Sequence, residues 1–265
     1  MAGTLAALAA AGHRVLLVTA TAGEHGLADP AYGSGVELAG HRTAELGDAA
    51  AALGCTRSEV LGWADSGMDG DASGERGFAR ADVEGAAARL ATLLRAEHAD
   101  VLTIYDPAGG YGHPDHLQVH RVGVRAAELA GTPLVLEATI DRRVLLAATA
   151  WIPRLPGGAR RASLARAFAD PARLTHRLDV RAQAGAKRAA MAAHRSQLRP
   201  GRRTLRLLLL LPRPLFRVAL GREWIVVRTG GDAAVLSDVL AAIPAKVLSP
   251  AAPTGARGPD SGVLR

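Results

Sequence analysis

Residues 111–120 (YGHPDHLQVH) hold more groups able to bind a metal or move a proton than any other stretch of this sequence. The proline suits the first position of a helix, because its missing N–H would have no partner there. His116 and His120 then share one face of the helix, and His113 lies at its start. Neutral imidazole is the commonest protein ligand of zinc-like metals, and Asp115 could orient a ring or accept a proton. This spacing indicates a metal or catalytic site, although a solvated helix start without metal would have the same composition.

The histidine-rich stretch follows a strand pattern in a chain where helix and strand patterns alternate. Such alternation predicts an α/β fold with a doubly wound, mostly parallel sheet, in which ligands bind at the carboxyl ends of strands. In chain order we predict a helix over 3–11, a strand buried on both faces over 13–21, a loop over 22–26, a helix over 37–53, a short strand over 60–63, a helix from a cap at Asp82 to about 97, a strand over 100–105, a helix over 114–130 and a strand over 133–137.

The second half of the chain has weaker patterns. We predict one folded domain over 1–248 and a disordered tail over 249–265, which is rich in proline, glycine and serine. Within 142–248 the expectations are a helix or strand over 142–152, a helix over 160–168, an extended stretch over 178–180, a helix over 183–198, a strand over 224–228 and a helix over 232–242.

The composition of the 265 residues fits a globular protein, with 49% hydrophobic and only 3% aromatic residues. The single cysteine, Cys55, excludes an internal disulfide, so we expect a cytoplasmic protein. Cys55 is expected to be a small buried residue rather than a nucleophile. The sequence has no signal peptide pattern, and no stretch reaches the roughly 20 apolar residues of a membrane span.

The formal net charge is +7. Basic residues concentrate in 154–206, which contains about a dozen Arg and Lys and only two acidic residues, Asp170 and Asp179. Such a segment can attract phosphate, nucleic acid or anionic lipid. It lacks interleaved aromatic residues and any nucleic-acid motif, so no nucleic-acid partner is expected. A solvated face, a wall for an anionic substrate and a contact with another subunit of a homo-oligomer stay open.

Several short motifs occur in an order that is specific as a set. They are GTLA from Gly3, VTATAGE from Val18, Arg42-x-x-Glu45, DSGM from Asp65, GHPDH from Gly112 with His120, KRAAMAAHRSQ over 187–197 and REW from Arg222. Over 3–227 the chain thereby resembles the LmbE-like, or PIG-L, metal-dependent N-deacetylases. The resemblance implies a Rossmann-like three-layer α/β fold and a hydrolase that removes acetyl from an N-acetylated amino sugar or similar small conjugate, with Zn²⁺ as cofactor.

The resemblance also implies roles for individual residues. His116 matches the metal-ligand histidine, and His113 matches a histidine that acts as general acid or stabilises the tetrahedral intermediate. Asp115 would orient or tune a neighbouring imidazole. Tyr111 would donate a hydrogen bond to the developing oxyanion, a contribution that matters greatly in acyl transfer.

Arg42 and Asp65 match positions that contact the sugar. Structural alternatives stand beside these roles: Arg42 and Glu45 could form an ion pair on a helix face, and Asp65 could cap its loop. Lys187 and His194 could close a helix end, where cations are favoured. His120 is expected to be structural rather than a ligand.

The family's first motif, His-Pro-Asp-Asp-Glu, is missing from this sequence, together with the strand before it. In the family that motif precedes the GTLA segment and supplies two of three zinc ligands and the general base, whereas this chain starts at Met1. With His116 alone we expect weak zinc binding and doubtful activity. We expect that the chain is cut short at its start; the alternative is a catalytically inactive sugar-binding or scaffolding relative.

Overall fold

Helices and strands alternate through the first half as predicted. The structure, a computed structural model, describes residues 1–26, 28–150, 167–198, 204–228 and 230–248, and within these ranges the side chains of 148–150 and 204 are not described. The elements are α1 Ala2–Ala10, β1 Leu16–Thr21, α2 Val36–Ala52, β2 Arg57–Trp63, α3 Val83–Ala96, β3 Val101–Tyr105, the one-turn α4 Gly109–Gly112, α5 Pro114–Ala130, β4 Leu134–Thr139, α6 Arg142–Ala150, β5 His176–Asp179, α7 Ala184–Ala193, α8 Thr204–Leu209, α9 Arg213–Leu220, β6 Arg222–Val227, α10 Ala233–Ala242 and β7 Ala245–Val247.

The strands form two sheets. β1 and β2 pair in parallel, and the second sheet has the order β3-β4-β6-β5-β7. Only its β3–β4 pair is parallel, whereas β6 runs antiparallel to both β4 and β5, and β7 antiparallel to β5. The α/β, Rossmann-like class is correct. The prediction of a mostly parallel sheet holds only in the first half of the chain, because the three described pairs that involve β5, β6 and β7 are antiparallel.

β1 is less buried than its sequence suggests. The apolar run over 13–21 predicts a strand buried on both faces, yet all six residues of β1 are only half-buried. The reason is that β1 pairs only with β2, and β3 pairs only with β4, so among the described residues each is an edge of its sheet. An edge strand has a neighbouring strand on one side only, so its other side stays accessible to solvent.

The second half departs from prediction at one long helix. Residues 183–198 have a helical pattern, but α7 ends at Ala193, where His194 leaves the helical region at φ −78°, ψ 60°. A 3₁₀ turn over Arg195–Gln197 follows, and the buried Ser196 in it binds the carboxylate of Glu45. Residues 142–150 are helical. Most of the helix expected over 160–168 and the whole tail 249–265 lie outside the described residues.

Two apolar clusters hold the helices against the sheets. One packs α1 and α10 on the five-stranded sheet, and the other packs α3 against α5, with Ala87, Ala91 and Ala126 fully buried. The α5 helix approaches β3 closely because Gly123 has no side chain: a Cβ there would lie 2.5 Å from Ile104 Cγ2. None of the described helices is both long and apolar enough to cross a bilayer.

A buried ionic junction joins the chain's beginning to its last third. Glu223 on β6 is 5% exposed and accepts hydrogen bonds from the backbone N–H groups of Gly3 and Thr4 and from the Thr4 hydroxyl. Lys187 Nζ on α7 lies 2.7 Å from Glu223 Oε1 and also donates to the Leu220 carbonyl. Lys187 therefore bridges to β6 rather than closing the end of its own helix.

Candidate active site

The loop that carries the histidines is held by Asp106, which follows β3 directly. Asp106 is completely buried, and its carboxylate accepts hydrogen bonds from the N–H groups of Ala108 (3.0 Å), Gly110 (3.1 Å) and Ala169 (2.8 Å) and from the Thr139 hydroxyl. Three separate segments therefore converge on one carboxylate, which fixes the path of the chain into α5.

Replacing Asp106 with asparagine tests this arrangement. Both oxygens of Asp106 accept hydrogen bonds, and the amide would replace one of these oxygens with an N–H₂ group that cannot accept. We therefore expect the free energy of unfolding to fall by about 2 kcal/mol. Urea unfolding of the purified chain measures this change. Asp100→Asn is the matched control, because Asp100 is exposed one residue before β3. An equal effect of the two substitutions would contradict the role given to Asp106.

His113 and His116 lie where the sequence places them, at the start of α5. His113 is the N-cap, and its Nδ1 accepts from the Asp115 backbone N–H at 3.2 Å. In the neutral ring the proton is then on Nε2, so that His113 presents a donor. The His113 and His116 ring centroids lie 4.9 Å apart.

The His116 ring is enclosed by aromatic neighbours. It stacks on Tyr105 with ring centroids 3.9 Å apart and planes at 9°, and the Tyr111 ring meets it edge-to-face with centroids 5.2 Å apart. Its Nδ1 is 3.3 Å from the Gly109 carbonyl oxygen, which can only accept, so this contact puts the proton on Nδ1. The lone pair of Nε2 is then available to a ligand.

Burial keeps the His116 imidazole neutral. Desolvation first, and the proximity of His113 second, lower the pKa of His116 to about 4. Tyr111 is half exposed, and burial raises the pKa of its phenol, with the nearby Asp65 acting in the same direction. At neutral pH the site therefore holds a neutral imidazole and a protonated phenol, a potential ligand and a potential hydrogen-bond donor.

Asp115 points toward Ser66 rather than toward an imidazole. Its Oδ2 accepts the Ser66 backbone N–H at 3.2 Å, while its buried Oδ1 has no hydrogen-bond partner. Desolvation raises the pKa of Asp115. Hydrogen bonds from Ser66 and the electrostatic effect of His113 oppose the rise, and the charge of Asp65 adds to it. The carboxyl influences His113 through its charge, and it offers one unused acceptor atom to a ligand or a proton.

Asp65 is buried beside this group and organises the loop after β1. Its two oxygens accept the N–H groups of His25 (3.1 Å) and Gly67 (2.9 Å), and its own N–H donates to Glu24 Oε1 (2.8 Å). These bonds agree with the interpretation that Asp65 caps its loop. They also place its carboxylate within electrostatic reach of Asp115 and Tyr111.

Arg42 joins the same loop from α2. Its Nη1 donates to the Gly23 carbonyl, and the guanidinium packs so closely on Gly26 that a Cβ there would lie 2.2 Å from Nη1. Glu45, three residues on, is buried, and both of its oxygens accept from Ser196 (2.6 and 2.8 Å). Arg42 and Glu45 thus bind different segments of the chain. Both charges act on the pKa of His194, which Glu45 raises and Arg42 lowers.

The structure therefore gathers the six residues singled out from the sequence into one continuous region. It runs from Arg42 through the loop after β1 to Asp65, then through Ser66 to Asp115 and the rings of His113, His116 and Tyr111. His120 lies outside this cluster, with its Nδ1 3.0 Å from the Tyr105 carbonyl oxygen. Cys55 packs among alanines, and burial raises the pKa of its thiol.

Sequence reasoning missed four contributors: Glu24, Ser66, Tyr105 and Asp106. Asp106 and Tyr105 had a detectable signal, because polar residues at the carboxyl end of a strand commonly line the ligand edge of an α/β sheet. Glu24 Oε2 is buried without a hydrogen-bond partner, and Ser66 donates a hydrogen bond to Asp115. Both features arise where loops more than 40 residues apart in the sequence come into contact. No local pattern shows such a contact.

The described residues do not make a complete zinc site. They contain no group of three or more His, Cys, Asp or Glu side chains arranged to hold a metal ion. His116 has the geometry of one ligand, with a free Nε2 in a neutral ring, whereas catalytic zinc normally has three protein ligands.

Comparison with known proteins assigns this region to a family. Residues 1–127 match the family model described as PIG-L, GlcNAc-PI de-N-acetylase. The chain is 40% identical over 224 residues to 1D-myo-inositol 2-acetamido-2-deoxy-alpha-D-glucopyranoside deacetylase 2 of Catenulispora acidiphila, covering 74% of each chain. It is 41% identical over 223 residues to the deacetylase of the same description from Thermomonospora curvata, again covering 74% of each.

Among solved structures, the conserved protein TT1542 from Thermus thermophilus aligns with a TM-score of 0.47 and 24% identity, over 74% of this chain and 73% of that one. On the sequence matches the chain belongs to the PIG-L family of de-N-acetylases, which confirms the resemblance seen in its motifs.

Proposed function

We propose that this protein hydrolyses the N-acetyl amide of a small amino-sugar conjugate, in particular an N-acetylglucosaminyl inositol. The observation that supports this most directly is the single cluster formed by His113, His116, Tyr111 and Asp115 beside Asp65 and Arg42. The substrate class follows from the deacetylase relatives, which cover most of the chain at 40% identity and are described by that substrate.

Each residue of the cluster has a task suited to its environment. The Nε2–H of His113 donates a hydrogen bond to the amide as it becomes tetrahedral, and the protonated Tyr111 hydroxyl stabilises the developing oxyanion. The unpartnered Oδ1 of Asp115 accepts a hydrogen bond or a proton within the cluster. Arg42 and Asp65 present a cation and a carboxylate to the hydroxyl groups of the sugar or inositol.

We propose Zn²⁺ as the cofactor of the family reaction, with His116 as the ligand that this chain supplies. When bound, the metal would polarise the acetyl carbonyl and activate water. Since the described residues offer only this one ligand, we expect the 265-residue chain to bind zinc weakly.

The alternative function is sugar binding without catalysis. It is favoured by the incomplete zinc site and by the two backbone bonds that Asp65 accepts, which would preserve a binding loop in either case. Acetate release separates the two functions. The assay offers N-acetylglucosaminyl inositol, free N-acetylglucosamine and an acetyl-lysine peptide to the chain in the presence of added Zn²⁺. The proposal requires a preference for the sugar substrates and fails if only the peptide is hydrolysed.

Substituting Arg42 with lysine tests the sugar contact. Lysine keeps the charge but loses the planar set of donors, so we expect about tenfold weaker binding of N-acetylglucosaminyl inositol. Titration calorimetry on the 265-residue chain measures this affinity and does not require turnover. Arg89→Lys on the exposed face of α3 is the matched control and should leave the affinity unchanged. Unaltered affinity of the Arg42 variant would remove Arg42 from the binding site.

A further inference from the structure

The two helices α8 and α9 form a basic, apolar surface far along the chain from the active-site residues. We call residues 204–220 the hairpin. Its four most exposed apolar side chains are Leu207 (55%), Leu210 (69%), Leu215 (56%) and Val218 (65%). Single exposed apolar side chains are common, but four large ones within twelve residues form an apolar patch of the kind that marks a binding surface.

The stretch of sequence around α8 and α9 is strongly basic. Residues 180–222 contain eleven Arg and Lys and no Asp or Glu. On the hairpin, Arg206, Arg213 and Arg217 are exposed and have no ion pair with a described residue. A surface that combines exposed leucines with unpaired arginines is typical of helices that lie in the interface of an anionic bilayer.

The inner side of the hairpin packs against α7, so the exposed side chains on its outer side belong to the surface of the folded protein. Phe216 is 1% exposed, and the Arg188 guanidinium on α7 lies 5.3 Å from the centre of its ring. The same guanidinium donates to the carbonyls of Leu209 and Leu211, which satisfies the end of α8 and the turn that follows. Arg188 thereby fixes both helices to α7.

A groove of about 640 Å³ lies between α7 and α9. Phe216 and four arginines line it: Arg181, Arg188, Arg213 and Arg217. Arg181 is paired with Asp179 and Arg188 with backbone carbonyls, which leaves Arg213 and Arg217 for a ligand. The groove therefore suits an anionic group such as a lipid phosphate.

We propose that the hairpin binds the surface of an anionic phospholipid bilayer. Leu207, Leu210, Leu215 and Val218 enter the boundary between headgroups and acyl chains, and the arginines contact lipid phosphates. A second copy of this chain is a poorer occupant, because a two-fold interface would bring Arg206, Arg213 and Arg217 of one copy toward the same residues of the other. Anionic lipid supplies the opposite charge.

The test is co-sedimentation of the full chain with vesicles of phosphatidylcholine, with and without phosphatidylglycerol. We expect binding only to the vesicles that contain phosphatidylglycerol, and a marked loss of binding as salt is raised. The double variants Leu215→Gln/Val218→Gln and Arg213→Gln/Arg217→Gln should each weaken partitioning by about tenfold or more. Leu129→Gln/Arg89→Gln, with an exposed leucine and arginine on α5 and α3, is the matched control and should partition like the parent chain.

Several results would overturn the proposal. One is a failure to bind phosphatidylglycerol vesicles at low salt, and another is a control variant as weak as the hairpin variants. If only the arginine variant loses binding and inorganic phosphate competes fully, the groove binds a soluble anion instead. If the parent chain forms a dimer that the leucine variant abolishes, the patch is a contact between copies. Circular dichroism of each variant verifies that it is folded, and acetate release is scored separately, so this test does not depend on the proposed enzyme activity.

Discussion

Replacing His116 with alanine is expected to reduce acetate release by at least about a thousandfold and to remove bound zinc. The ring is the one group in the described site that combines a neutral state at pH 7, a proton on Nδ1 fixed by the Gly109 carbonyl, and a free Nε2 lone pair. Loss of a metal ligand removes both the activation of water and the polarisation of the carbonyl. The measurement is acetate release and zinc content of the purified chain in buffer with added Zn²⁺.

The same helix provides the matched control for this prediction. His120 lies one turn after His116, and its Nδ1 is engaged by the Tyr105 carbonyl outside the cluster. His120→Ala should leave acetate release within a factor of about three, because no described contact joins its ring to the catalytic side chains. If His120→Ala were as damaging as His116→Ala, the assignment of roles along α5 would be wrong.

The second large effect is on stability. Replacing Glu223 with glutamine is expected to lower the free energy of unfolding by about 3 kcal/mol, because it leaves the Lys187 ammonium buried without its counter-charge. The N–H groups of Gly3 and Thr4 and the Thr4 hydroxyl also lose a charged acceptor. Urea unfolding near pH 7 measures the change.

An exposed ion pair supplies the control. Glu84 is 64% exposed and pairs with Arg125 across the surface of α3 and α5. Glu84→Gln makes the same chemical change in solvent, where such a pair contributes little, and it should cost less than about 1 kcal/mol. Equal losses for the two variants would show that the Glu223 junction is not a special feature of the core.

The pH dependence of the Glu223 effect has a definite sign. Burial alone would raise the pKa of Glu223, but the Met1 ammonium, Lys187 and Thr4 more than offset it and hold that pKa well below its usual range. A depressed carboxyl pKa contributes stability above the unfolded-state value, near 4.3, and this contribution is lost as pH falls toward the folded-state value. The stability difference between the parent chain and Glu223→Gln should therefore shrink below about pH 4.

The sequence predicted the elements around the site accurately because local rules determine them. α5 begins at Pro114 and ends at Ala130 as predicted, since a proline at the first helical position and Gly131 in a left-handed conformation at φ 70° are local signals. The Asp82 cap of α3 is likewise local, with its Oδ2 accepting the Gly85 N–H at 2.7 Å. Features of this kind need no knowledge of the rest of the fold.

Contacts between distant segments limited what the sequence could predict. The helix expected over 183–198 stops at Ala193 because Ser196 donates hydrogen bonds to Glu45, about 150 residues earlier in the chain. The sequence predicts that Asp115 orients or tunes a neighbouring imidazole, but it does not predict the hydrogen bond that its carboxylate accepts from Ser66 in another loop. The half-buried β1 and the antiparallel pairs of β6 depend on sheet order, which periodicity does not reveal.

The most direct test measures zinc content and acetate release of the chain at saturating Zn²⁺. We predict that the chain then binds zinc through His116 and releases acetate from N-acetylglucosaminyl inositol, and that His116→Ala abolishes both. If the chain neither binds zinc nor releases acetate, although it binds the sugar with Arg42-dependent affinity, the enzyme assignment is contradicted. The cluster from Arg42 to His116 is then a binding site in a non-catalytic member of the family.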